Sequence, residues 1–413
     1  MSRVLVDSGI KWIGSLPNTW SITTVNKIFY RRKEVNDVEN PTVLSLARDG
    51  VKIRDISTNE GQLAESYDNY HKVYKDDLMI NPMDLISGAN CSLSEVEGVI
   101  SPAYINLAKK EKIFPKYYDY FFKYQYWINA MFIHGKGVSF DNRWTMNWET
   151  MSNYMLPFPK YEEQKNIANY LDRQCEKIKR IIDDNINEIE LIEEYKRRII
   201  FEKTSSGKII KIKKIGYVNG RIGFKGYSNE DIVDDETPGR ALSIGGTNIM
   251  KSGTLSYDKK TYISEKKYLE SPEIMLRGGE ILMTKVGAGC GENSIYEFYE
   301  DRVTINPNVM ILHVNNGINS KYINYCLLND EVRSNIKIES TSGGAQPAIN
   351  QELLKNLKIN LPPINEQNKI VNYLDRVCSK LDTVINYRKQ IIEKLEEYKR
   401  SLIYECVTGK REV

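Results

Sequence analysis

The sequence predicts an α+β chain built twice, in which a mixed domain is followed by a long helix and the same plan then runs again. Three observations predict it. One is a gapless internal repeat, the second an apolar period of the helical kind inside each copy, and the third a set of short strand-like runs in the stretches between copies.

The repeat aligns residues 147–202 with 350–405, and 24 of the 56 aligned residues are identical. Its densest block reads EEQKNIANYLDRQCEK in the first copy and NEQNKIVNYLDRVCSK in the second. It shares Glu163/Glu366, Gln164/Gln367, Ile167/Ile370, Tyr170/Tyr373, Leu171/Leu374, Asp172/Asp375, Arg173/Arg376 and Cys175/Cys378. The motif EEYKR recurs at Glu193 to Arg197 and Glu396 to Arg400. The chain therefore divides into 1–146, a first variable domain; 147–205, a constant segment; 206–349, a second variable domain; and 350–413, the second constant segment.

Inside each constant segment apolar residues recur with alternating steps of four and three, the signature of a coiled-coil seam. The first seam is Leu171, Cys175, Ile178, Ile182, Asn185, Ile189 and Ile192; the second is Leu374, Cys378, Leu381, Ile385, Arg388, Ile392 and Leu395. Asn185 and Arg388 share one seam position, and Lys196 and Lys399 another. Polar residues there cost stability and fix register, so these four are expected to act as alignment marks. Prolines precede each helix (Pro157 and Pro159; Pro362 and Pro363) and glycines follow it (Gly207, Gly409), as start and stop signals require. About 40 residues rising 1.5 Å each make a rod roughly 60 Å long. Two such rods bury their seams most economically against each other. A plain dimerisation coiled coil accounts for the seam equally well, but not for a different domain ahead of each rod.

The variable domains share a plan more than a sequence. DLMINPMDLISGANC (Asp77 to Cys91) parallels EILMTKVGAGCGEN (Glu280 to Asn293), and each is followed by a strand-like run, GVISPAYINL or DRVTINPNVMILHV. An aromatic-rich helix candidate then follows in each, PKYYDYFFKYQYWINAMF or SKYINYCLLNDEVRSNI.

Basic and amide side chains on loops are of the types that hold phosphates and read base edges, which makes them candidate nucleic-acid contacts. The first domain offers Arg48, Lys52 and Arg54, then His134, Lys136, Asn142 and Arg143 in HGKGVSFDNRW. The second opens with a basic, aromatic-studded stretch carrying Lys211, Lys213, Lys214, Arg221, Lys225 and Tyr227, and adds Lys285, Asn293 and Gln346. Any one of these also reads as an ordinary surface residue.

Composition narrows the class. An apolar fraction of 41% and a charged fraction of 27% suit a soluble chain, and no uncharged apolar run reaches the roughly 18 residues of a membrane span. Asp7 and Lys11 interrupt the first apolar run, so no signal peptide is expected and the chain is read as cytoplasmic. Six scattered cysteines and three distant histidines argue against a zinc or disulfide framework, and no metal site is expected. GAGCG lacks the GK[ST] ending of a P-loop and reads as a turn. INPM and INPN lack the second proline and the aromatic of an adenine methyltransferase loop. No catalytic constellation emerges.

LPPINEQNKIVNYLD (Leu361 to Asp375), its first copy PFPKYEEQKNIANYLD, and the opening DSGIKWIGSLPNTW (Asp7 to Trp20) resemble segments of type I restriction-modification specificity subunits. The likeness spans essentially the whole chain, with Lys160 standing where the second copy has Pro363. The resemblance implies two target-recognition domains, each reading one half of a bipartite site in double-stranded DNA. It also implies two conserved helices packed as an antiparallel coiled-coil spacer under pseudo-twofold symmetry. Two methyltransferase subunits would dock on the constant segments and two restriction-translocase subunits would join them. S-adenosylmethionine, ATP and magnesium would then belong to those partners, with no cofactor in this chain. Two rival readings are a stand-alone adenine DNA methyltransferase and a coiled-coil adaptor that binds no DNA.

Overall fold

The computed structural model describes residues 3–413 apart from 49, 58–63, 84, 86–89, 111, 136–144, 221–225, 288 and 342–346. It resolves into two compact units, Met1–Asn185 with Gln390–Val413, and Ile186–Lys389. Helix and strand are mixed in both, as an α+β class requires. Among the described residues no helix is long and apolar enough to cross a membrane.

The first unit is built on an antiparallel sheet whose strands run in the order Phe29–Arg31, Ile105–Lys109, Leu78–Ile80, Cys91–Leu93. The run Leu78–Ile80 is apolar at every position because both of its faces are covered. Side chains alternate across a strand. Leu78 and Ile80 therefore join the large core with the aromatic helix Pro115–Trp127, while Met79 joins a smaller core with Leu44, Leu46, Val73 and Ile100. That smaller core lies under the hairpin Leu44–Ala47/Gly50–Ile53 and the pair His71–Val73/Gly98–Ile100.

The second unit repeats the scheme with strands Gly216–Asn219, Val309–Val314, Ile281–Thr284 and Asn293–Ile295 in that order. Ile281 and Met283 face one core with Tyr322 and Ile323, and Leu282 faces another with Tyr262 and Ile305. A four-stranded sheet covers that second face, ordered Ile232–Val233, Tyr262–Ile263, Ala241–Ile244, Val303–Ile305, its last pair parallel.

Each strand-like run of the variable domains becomes two strands. The breaks fall at Pro102 and Pro307, which have no N–H for a ladder. The first aromatic run is one helix to Trp127, whereas the second is two, Ser320–Leu328 and Asp330–Thr341. Asn329 makes the break: its backbone is extended and its carboxamide oxygen accepts from Glu331 N at 2.9 Å.

The constant segments fold alike. Asn147 and Asn350 cap short helices, accepting from Thr150 N and Leu353 N, each at 2.8 Å. A strand follows: Met155–Phe158 pairs with Ser21–Thr24, and Lys358–Leu361 with Lys208–Lys211. The long helices are Tyr161–Thr204 and Ile364–Val407, 44 residues each. They begin at equivalent positions, so Lys160 does not shift the start.

In the first unit residues 161–185 share a core with 390–407, where Leu171, Ile178 and Ile182 are buried with Cys175, Ile392 and Leu395 half-buried beside them. In the second, Ile199 and Ile200 pack with Leu374 and Cys378, and Ile385 is buried. Ile189, Ile192 and Leu381 are half-buried. Asn185 is buried and turns its amide onto its own helix at Ile181 O, 2.7 Å. Two other marks reach the opposite helix: Arg388 pairs with Glu188, and Lys196 Nζ holds both oxygens of Asp382 at 2.7 and 2.8 Å. Lys399 contacts Glu396 of its own helix at 3.5 Å.

Candidate nucleic-acid interface

Each variable domain is tied to its long helix by the same bonds. Gln164, fully buried, accepts from Phe114 N at 2.8 Å and donates to Pro159 O at 2.8 Å; Gln367 accepts from Asn319 N at 2.9 Å and donates to Pro362 O at 2.8 Å. A second tie comes from the aromatic helices. Tyr120 Oη donates to Asp172 at 2.6 Å, and Tyr325 Oη to Asp375 at 2.7 Å. Lys116 and Lys321 stand 3.9 and 3.6 Å from the same two carboxylates. Burial first, and then the bonded carboxylate, push both phenols far above the ordinary tyrosine range, so each remains a donor.

The sequence reading missed this clasp as a unit, although half of it was visible. Gln164/Gln367 and Asp172/Asp375 are identities of the repeat. Their partners lie outside it, in the matching frames KYYDY (Lys116 to Tyr120) and KYINY (Lys321 to Tyr325).

Of the candidate DNA contacts in the first domain, Arg48, Lys52 and Arg54 come together on one hairpin. Arg48 is exposed at its turn, Lys52 is exposed opposite Ser45, and Arg54 directly follows the second strand. His134 does not join them. Its ring is wedged edge-on against Trp12 and Tyr154, at centroid distances of 4.7 and 5.5 Å, and burial lowers its pKa. Packing rather than display explains that histidine. Lys136, Asn142 and Arg143 lie outside the described residues, as do Arg221, Lys225 and Gln346.

In the second domain Lys211, Lys213 and Lys214 are exposed, on a paired strand and the turn after it. Lys213 Nζ donates to Asn356 at 3.0 Å, beside the second constant segment. Tyr227 is half-buried with its hydroxyl 3.2 Å from Ser243 Oγ. Lys285 is half-buried and donates to Pro307 O at 3.1 Å. Asn293 corrects the expectation: it is fully buried, donating to Asn324 O and Oδ1 at 3.2 and 2.8 Å, and no base edge can reach it.

One juxtaposition recurs in both units. The loop after the central strand is bonded to the residue just before the constant segment, through Met146 N to Pro82 O at 2.9 Å and Ile349 N to Lys285 O at 2.8 Å. Met146 and Ile349 each stand one residue ahead of their copy of the repeat. The motif-like sequences here are turns. Asn81 and Asn306 accept from Met83 N and Asn308 N at 3.0 and 2.9 Å, and in GAGCG the described Gly287 and Gly291 take turn conformations at φ 103° and 89°. A Cβ on Gly291 would lie 2.8 Å from the Ile336 side chain, which fixes glycine there. Among the described residues no group of three or more His, Cys, Asp or Glu is placed to hold a metal ion.

The family model for the type I restriction modification DNA specificity domain matches residues 194–397. The chain is 22% identical over 446 aligned residues to the type I restriction enzyme EcoBI specificity subunit of Escherichia coli, covering 99% of this chain and 90% of that one. It is 20% identical over 369 residues to the MjaVIII specificity subunit of Methanocaldococcus jannaschii, covering 82% and 81%. Among solved structures, a chain from work on complex assembly and conformational transition of the type I R-M system superposes with a TM-score of 0.70 at 13% identity, covering 95% of this chain and 98% of that one. The HsdS subunit from Thermoanaerobacter tengcongensis gives 0.50 at 14% identity, covering 96% and 98%.

Proposed function

The chain belongs to the specificity subunits of type I restriction-modification systems, and from that premise we propose that it is the non-catalytic member of such a complex that selects the DNA sequence. Residues 1–146 and 206–349 are the two target-recognition domains, each reading one half of a bipartite site in double-stranded DNA. Residues 147–205 and 350–413 are the constant segments, whose long helices form an antiparallel coiled coil that sets the gap between half-sites and relates the readers by a pseudo-twofold axis. Two methyltransferase subunits dock on them and two restriction-translocase subunits complete the assembly in the cytoplasm. S-adenosylmethionine, ATP and magnesium are held by those partners.

The observation that carries this reading is the repeated clasp. Gln164 and Gln367, and the Tyr120–Asp172 and Tyr325–Asp375 bonds, fasten two dissimilar domains to the two copies of the repeated helix by the same atoms. A chain that must present two different sequence readers on one scaffold needs that combination. Direct base readout varies with side chains, while the scaffold must not vary.

Replacing residues 206–349 with the equivalent domain of a relative is expected to change one half of the methylated site and leave the other half and the gap intact. Mapping methylated adenines in cells reads this directly. Changes in both halves, or in neither, would overturn the assignment. Removing one heptad from each long helix should alter the tolerated gap while the half-site sequences stay as they were. Methyl transfer from labelled S-adenosylmethionine by the chain alone would favour a methyltransferase instead. Absence of salt-dependent DNA retention, even with methyltransferase partners present, would favour an adaptor.

A further inference from the structure

We propose that Arg31, with Lys33 and His71 beside it, grips a DNA phosphate in the first recognition domain; the proposal rests on the DNA-reading function above. Arg31 ends the outer strand Phe29–Arg31 of the first sheet. Alternation puts it on the same face as Phe29, which is fully buried, so its stem runs along the rim of the core. There its guanidinium carbon sits 5.8 Å from the ring centre of Trp148, and its Nε is buried without a hydrogen bond.

The neighbouring charges are already paired. Arg32 Nε is 2.9 Å from the buried carboxylate of Asp77, and Lys72 holds Asp37 and Glu34 at 2.7 and 3.0 Å. Among the described residues neither Arg31 nor Lys33 has a carboxylate within 4.0 Å. Among the described residues three other arginines bury a nitrogen without a hydrogen bond, Arg3, Arg333 and Arg388, and each has a carboxylate partner in Glu163, Glu292 and Glu188. Arg31 is the exception.

A half-buried guanidinium loses hydration, and a folded chain normally returns that loss through an anion. Here no anion comes from the described residues of the chain. His71 adds to the same spot, since Val35 bridges to it, and after burial the nearby Arg31 and Lys33 are what hold its imidazole pKa down. Two unneutralised cations and an imidazole, without an acid, suit a phosphate more than a base edge, because a phosphate supplies both the charge and several acceptors. The guanidinium carbon lies over the Trp148 ring, whose face attracts a cation and helps to keep Arg31 in place.

The test uses the full chain with its methyltransferase partner and two duplexes, one carrying the mapped site and one unrelated. Affinity is measured at several salt concentrations for wild type, Arg31→Gln, Lys33→Gln and the double variant, with thermal melting as the check on folding. Arg31→Gln is expected to weaken both duplexes alike, by about fivefold to tenfold, and the double variant more. The slope of log affinity against log salt should become shallower by about 0.9 for each charge removed. Folded variants that bind as wild type, or that lose only the specific duplex at an unchanged slope as a base contact would, overturn the proposal. A wild-type complex without salt-dependent binding defeats the DNA-reading function instead.

Discussion

The two units agree on one side of their central strand and differ on the other. On the side that meets the long helix, Leu78 and Ile80 or Ile281 and Met283 pack under an aromatic helix that is clasped to the rod by the same glutamine and tyrosine bonds. On the opposite side, Met79 is covered by a hairpin and a separate strand pair, and Leu282 by a four-stranded sheet with one parallel pairing. Divergence has gone where nothing need fit the helix. The clasp constrains sequence while the outer cover only has to exclude water, so the outer cover is free to be rebuilt.

The largest way to break that comparison is at the buried glutamines. Gln164→Ala removes the acceptor of Phe114 N, and Gln367→Ala that of Asn319 N, leaving a backbone donor unsatisfied. Each is expected to lower stability by about 1–3 kcal/mol. Chemical denaturation would show it, and the two losses should agree to within about 0.5 kcal/mol because the geometry is repeated. A large loss in one unit and none in the other would mean that the clasp is shared in form and not in energy.

Tyr120→Phe and Tyr325→Phe make a smaller test. Each removes one bond to a carboxylate that is partly exposed and can turn to water, with the ring packing kept, so about 1 kcal/mol is expected from each. If Asp172→Asn and Asp375→Asn reproduce the loss while the paired double variants add nothing further, the bond is the cause. Full additivity in the double variants would say that the tyrosines act through packing alone.

What the sequence made legible follows from what repeats. The constant segments could be read nearly residue by residue, because a 3.6-residue period and a gapless repeat fix where Leu171, Ile182, Leu374 and Ile385 must lie. The central strands were legible too, as apolar runs between turn residues. The contacts between variable and constant parts were not, since Tyr120 and Asp172 are 52 positions apart and one lies outside the repeat. Individual candidate contacts fared least well. Asn293 has the right side chain for an adenine edge, and only the fold reveals that it is spent inside on Asn324. Arg31 shows the reverse: Arg31, Arg32 and Lys33 are consecutive cations, and only their pairing in the fold tells them apart.

Acid gives the finest distinction between the units. His71 and His134 in the first unit, and His313 in the second, all hold their pKa below the ordinary imidazole value, and burial is the leading cause in each. A group whose folded pKa is depressed binds fewer protons folded than unfolded, so stability is present above the unfolded value, about 6.5, and is lost as pH falls toward the folded one. The buried Nε2 of His134 and of His313 has no hydrogen-bond acceptor waiting for a proton. In the second unit Glu280 opposes the shift by attracting the protonated ring, whereas in the first Arg31 and Lys33 deepen it at His71. Between about pH 7 and 5, amide protection in the aromatic helix Pro115–Trp127 should therefore fall more than in Ser320–Leu328, as hydrogen exchange would show. His134→Gln should reduce that difference, because a side chain that cannot titrate in this range no longer couples the first unit to acid. Equal losses in the two helices would place the acid sensitivity in groups that the units share.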